Sequence, residues 1–196
     1  MNTTREEPTH AIQLTKLEAA RRQINTAIRM YFLDMDVIST HAVLAGGLQI
    51  VSDLATKKGQ RVGFEEFLAP IVEERRKEFL LIIREPQNFL KHADREGDDT
   101  AIYEYRTEAL EIYLYLAAQA YQTFTGKATP EIKSVIAWIS FRNPEILLED
   151  EYKKNVDSYL ARYGEVNASD KPMFLRNIDE FRNKQPVDES LIDYSV

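Results

Sequence analysis

Leu110-Glu111-Ile112-Tyr113-Leu114-Tyr115-Leu116-Ala117-Ala118-Gln119-Ala120-Tyr121-Gln122-Thr123-Phe124 is the stretch that decides the fold class. Wound at 3.6 residues per turn, Leu110, Ile112, Tyr113, Leu114, Leu116, Ala117, Ala120 and Phe124 leave little of the circumference polar. A helix apolar most of the way round belongs in the centre of a bundle. It is expected to run from about Ala101 to Thr125, with Gly126 ending it.

The pattern repeats outward in both directions. Leu17, Ala20, Ile24, Ala27 and Tyr31 recur every three or four residues and predict a helix from about Ala11 to Phe32. Asp34 or Asp36 offers an N-cap for a second helix ending near Lys57, with Gly59 as its stop. Val37, His41, Leu44, Leu48, Val51 and Ala55 form its stripe. Gly46 and Gly47 cost about 1 kcal/mol each in a helix relative to alanine, a cost more easily understood if another backbone or a ligand approaches closely there, with close helix contact the plainer of the two. A third helical segment spans Phe64 to about Ala93, where Pro70 and Pro86 are expected to kink or break it. Asp94–Thr100 reads as a loop.

Downstream, Thr129-Pro130-Glu131 supplies an N-cap, an N1 proline and a first-turn acid for a helix to about Phe141. Another is expected from Pro144 or Glu145 to Tyr163, closed by Gly164, and a last one from about Asp170 to Asn183. The whole reads as an all-α chain: a helical bundle of about four main helices plus two or three shorter C-terminal ones. Residues 1–184 make one domain and 185–196 a flexible acidic tail.

Composition narrows the function classes. A chain of 196 residues suits one domain, and with only 7 glycines and 7 prolines it lacks the turns of an all-β fold. The absence of cysteine removes disulfides, thiolate metal sites and a thiol nucleophile. A net charge of −7 argues against coating nucleic acid by bulk electrostatics, though a local basic site stays open. No uninterrupted apolar run reaches the ~18 residues of a membrane span, so a cytoplasmic chain without a membrane partner is expected. No phosphate loop, dinucleotide fingerprint, nucleophile elbow, zinc-protease motif or calcium loop occurs, and no cofactor is implied.

Chemistry concentrates in Arg84-Glu85-Pro86-Gln87-Asn88-Phe89-Leu90-Lys91-His92-Ala93-Asp94. Asn88 and His92, at i and i+4, share a helical face beside the buried side marked by Phe89. An imidazole there, its tautomer held by an amide, suits general acid/base work near neutral pH. Arg84, one turn before Asn88, supplies the cation a phosphate diester requires. The alternative is a non-enzymatic helical dimer or interaction protein in which these groups only hold helices together. His41 is a second candidate: with Asp34 or Asp36, and with His92 and Asp94 across the bundle, it would offer nitrogen and oxygen donors for a metal. Against this stands a core histidine with Asp36 as a cap. Tyr103, Tyr105, Tyr113, Tyr115, Tyr121 and Phe124 can stack bases, although their spacing says core.

Asn88-Phe89-Leu90-Lys91-His92 resembles the Asn-x-x-Lys-His segment of HEPN-like proteins, small α-helical domains of bacteria and archaea. Ala42–Ile50 with Asp53-Leu54 is similar to the Ala/Gly-rich second helix of some of them. The chain also resembles uncharacterised bacterial proteins with an Asn-Phe-Phe-Lys-His-Ala-Asp-like motif. The likeness covers residues 11–125. It implies an RNA- or nucleotide-phosphate-binding bundle and a homodimer. In active members it implies metal-independent RNA cleavage, with His92 acting on the ribose hydroxyl or leaving group. Other members bind nucleotides or partners without catalysis. Where the family usually carries arginine, just before the asparagine, this chain has Gln87. Arg84 is the candidate substitute, with Pro86 between.

Overall fold

A computed structural model describes residues 11–67, 84–90, 102–147 and 150–184. The helices are α1 (Lys16–Phe32), α2 (Val37–Lys57), a single turn α3 (Phe64–Phe67), α4 (84–90), α5 (Ala109–Thr125), α6 (Pro130–Arg142), α7 (Glu151–Tyr163) and α8 (Lys171–Lys184). Short 3-10 turns at Pro144–Ile146 and Ala168–Asp170 precede α7 and α8. No strand occurs among the described residues, so the chain is all-α. Residues 91–101, with His92 and Asp94, and the expected tail 185–196 lie outside the described residues, as does Pro70.

α1 packs against α2, α5, α6 and α8, while α5 lies between α2 and α6. One apolar cluster runs through all of them, from Ala20 and Ile24 through Leu44, Leu48 and Leu114 to Ile132, Trp138 and Ile178. α5 sits in that core as its composition demands, although Ile112 faces outward at 53% exposure. α7 packs chiefly against α6 and the short turn before it. By length and composition α2 is long and apolar enough to cross a bilayer. In this fold Leu44, Leu48 and Val51 are buried in the common core.

Caps define the ends. Thr15 Oγ1 accepts from the Glu18 amide at 3.1 Å, so α1 starts at Lys16, and Ala11–Leu14 lie exposed ahead of it instead of forming its first turn. Asp36, not Asp34, caps α2 by accepting from Ser39 N at 2.7 Å, and that bond holds its carboxyl below the usual range. Thr129, Pro130 and Glu131 open α6 as their order predicts. Asp150 accepts from Lys153 N and starts α7 afresh, so the single helix expected from 144 to 163 is divided.

At Gly47 the backbone of α2 lies hard against α1. A Cβ there would stand 2.8 Å from Ile24 Cγ1 and 3.1 Å from the Ala20 carbonyl oxygen, so only hydrogen fits. The far side of α1 is joined to α6 and α8 by charge. Glu131 is fully buried, with Arg182 Nη2 at 2.7 Å and Arg29 Nη1 at 3.9 Å from Oε1, and Arg29 also reaches Asp179 at 2.7 Å. Burying a carboxylate is costly unless cations sit beside it.

The largest departure from the sequence reading lies ahead of α5. Residues 102–106 are not helical, and their exposure alternates: Ile102, Glu104 and Arg106 outward, Tyr103 and Tyr105 half-buried. Period-two alternation is the mark of an extended chain with one face against a surface. α5 therefore begins at Ala109, and its N-cap, Glu108, makes no side-chain capping bond.

Candidate functional site

The helical stretch 84–90 runs through Pro86, which is buried with Gln87, while Arg84 is exposed and Asn88 half-buried. Arg84 and Asn88 stand one turn apart, as the spacing predicts. Phe89 stacks on Tyr103 with ring centroids 5.1 Å apart, tying α4 to the extended segment before α5.

That segment joins α4 to His41. The His41 imidazole is fully buried and its Nδ1 lies 2.8 Å from the Tyr105 hydroxyl. Its ring sits 4.3 Å from that of Tyr113, which also meets Phe64 edge-on at 5.3 Å. Burial, with Tyr103 nearby, pushes the Tyr105 hydroxyl up to about 12. Tyr113 is driven higher still, by burial first and then by Tyr105 and Tyr103, while the Arg84 cation opposes the shift. Arg84 therefore acts electrostatically on the hydroxyl whose ring packs against His41. The Tyr113 hydroxyl is buried and has no hydrogen-bond partner among the described residues. The two sequence candidates, the Arg84–Asn88 face and His41, thus belong to one neighbourhood linked by three tyrosines.

The proposed metal constellation is not assembled from the residues described. Asp36 is spent as a cap, and Asp34 pairs with Lys171 at 2.6 Å. His41 Nδ1 lies within hydrogen-bond distance of the Tyr105 hydroxyl. No group of three or more His, Asp or Glu side chains capable of holding a metal occurs among the described residues.

Sequence reasoning missed a second polar cluster, at the C-terminal end of α1. Trp138, fully buried on α6, donates from Nε1 to the Tyr31 hydroxyl at 2.9 Å, and that hydroxyl donates to Glu111 Oε1 at 2.5 Å. Arg142, one turn after Trp138, reaches the same oxygen at 2.5 Å and lies 5.4 Å from the indole centroid. Lys171 Nζ stands 3.9 Å from the Tyr31 ring centroid and donates to the Tyr31 carbonyl at 3.1 Å. Burial, then the bond to Glu111 and its charge, raises the Tyr31 pKa far above the ordinary phenol range, against the opposing effects of Trp138 and Arg142. One signal was readable: a buried tryptophan needs an acceptor for its N–H. Tyr31, 107 residues away, could not be named from spacing.

No family model, curated protein or solved structure matches the chain.

Proposed function

We propose that this helical bundle recognises the phosphate of a nucleotide or RNA through Arg84 and Asn88. The observation that carries the reading is an exposed guanidinium and a half-exposed amide one turn apart, on a helix braced by the Phe89–Tyr103 stack. A guanidinium fork presents paired donors to phosphate oxygens, and the amide adds a neutral donor that does not repel the ligand. The chain's net charge of −7 suits a local site better than a broad basic surface. The HEPN-like motif assigns proton transfer to His92 in those members that cleave RNA, and a homodimer that places two motifs in one cleft.

Binding of a labelled single-stranded RNA and of nucleoside triphosphates is the direct test. Arg84→Ala should weaken it about tenfold or more, with fold retained by circular dichroism, because bonds to charged partners are worth about 1.5–3 kcal/mol. Equal affinity for Arg84→Ala and the parent chain overturns the proposal. Cleavage in excess chelator that disappears in His92→Ala would add catalysis to recognition. A second reading has one observation in its favour: His41 is fully buried between α2 and the 102–106 segment, as a group that only joins elements would be. On that reading His41→Ala lowers the melting temperature, and neither the parent chain nor Arg84→Ala binds RNA or nucleoside triphosphates.

A further inference from the structure

The cluster around Tyr31 opens into a cleft of about 390 Å³ between the end of α1 and the beginnings of α5 and α8, with Arg142 of α6 at one wall. That volume is within the range of small-molecule sites, about 300–1,000 Å³. Both signs of charge line it: Arg142 and Lys171 against Asp34, Glu108 and Glu111. Met35, Val37 and Leu110 give it an apolar side, and Met35 stands 52% exposed there. Asp34 holds a left-handed backbone, φ +50°, the single non-glycine residue with positive φ among those described. Strain of this kind gathers at ligand sites.

A count of hydrogen-bonding capacity shows what would fit. Arg142 gives one N–H to Glu111, which leaves several of its five donors unspent. Lys171 spends two protons, on the Tyr31 carbonyl and Asp34, and keeps a third. Glu111 and Asp34 are each engaged through one oxygen, and the Glu108 side chain caps nothing. A purely anionic ligand would meet three carboxylates, and a purely cationic one would meet Arg142 and Lys171. A compact molecule carrying both charges satisfies each set. We propose that this cleft binds a free amino acid with an apolar side chain, its carboxylate on Arg142 and Lys171, its ammonium on the carboxylates, and its side chain on Met35, Val37 and Leu110. This inference is independent of the phosphate reading, because none of these residues belongs to α4.

Titration calorimetry and thermal shift on the full chain test it, with L-leucine and L-methionine as first probes. Both should bind and raise the melting temperature, while leucinamide and N-acetylleucine, each lacking one charge, should bind at least about tenfold more weakly. Arg142→Lys, which keeps the charge and loses the fork, should weaken leucine by about tenfold, and Arg84→Ala should leave it unchanged. No heat and no shift with any apolar amino acid at about 1 mM would overturn the proposal. So would equal binding of leucine, leucinamide and N-acetylleucine, a comparison made on the unaltered chain whatever the variant does.

Discussion

The surroundings of Tyr31 and of Tyr113 use the same materials to opposite ends. Each holds a buried phenol whose pKa burial drives upward, an aromatic neighbour and an arginine within electrostatic reach. At Tyr31 the hydroxyl is fully employed, accepting from Trp138 and donating to Glu111. At Tyr113 it is buried with no partner among the described residues, and His41 turns its Nδ1 to Tyr105 instead. A satisfied hydroxyl contributes to stability, whereas an unsatisfied one subtracts from it. The first region is a fastening as well as a cleft. The second leaves a buried hydroxyl without a protein partner among the described residues.

Four measurements press on that contrast. Trp138→Ala should cost about 3–5 kcal/mol in urea unfolding, because it opens a cavity and removes the Tyr31 donor together. Tyr31→Phe should cost about 1–3 kcal/mol, since the indole N–H is then left buried and unpaired. A smaller effect follows from pH. The Tyr105 pKa rises from 10.0 to about 12 on folding, so the folded chain holds that proton more tightly than the unfolded one. Its contribution is complete below pH 10 and is lost as pH climbs towards about 12. Unfolding free energies measured across that window should fall, and fall less steeply in Tyr105→Phe. Smallest of all, Tyr113→Phe should change stability by no more than about 0.5 kcal/mol, or raise it, because it deletes a buried hydroxyl with nothing to lose. A loss as large as that of Tyr31→Phe would erase the distinction.

What could be read from sequence follows the range of the forces involved. Helices α2, α5 and α6 were legible because burial periodicity and caps are local: Asp36 with Ser39, Thr129 with Pro130, Leu110 to Phe124 on one wheel. The start of α1 was misjudged for want of one local cue, Thr15 with Glu18 three residues on, which is a capping spacing. The segment 102–106 departs from the helical expectation because its tyrosines obey a partner and not a helical period. Tyr105 meets His41 across 64 residues, and Tyr103 meets Phe89 on another element. The candidate site divides likewise. Arg84 and Asn88 could be placed on one turn by counting, but their kinship with His41 required the tyrosines between them. Glu111, Arg142 and Lys171 carry no motif at all, and the packing of α1, α5, α6 and α8 on one another gathers them.

The tight seat of Gly47 on the Ala20 carbonyl reaches beyond packing. α1 and α2 are separated by only residues 33–36, so their contacts close a short loop and lose little chain entropy in forming. Local contacts of that kind form fast. The α1–α2 hairpin is then the natural seed on which α5 and α6 condense. Its amide protons, around Ile24 and Leu48, should be the last in the molecule to exchange with deuterated solvent.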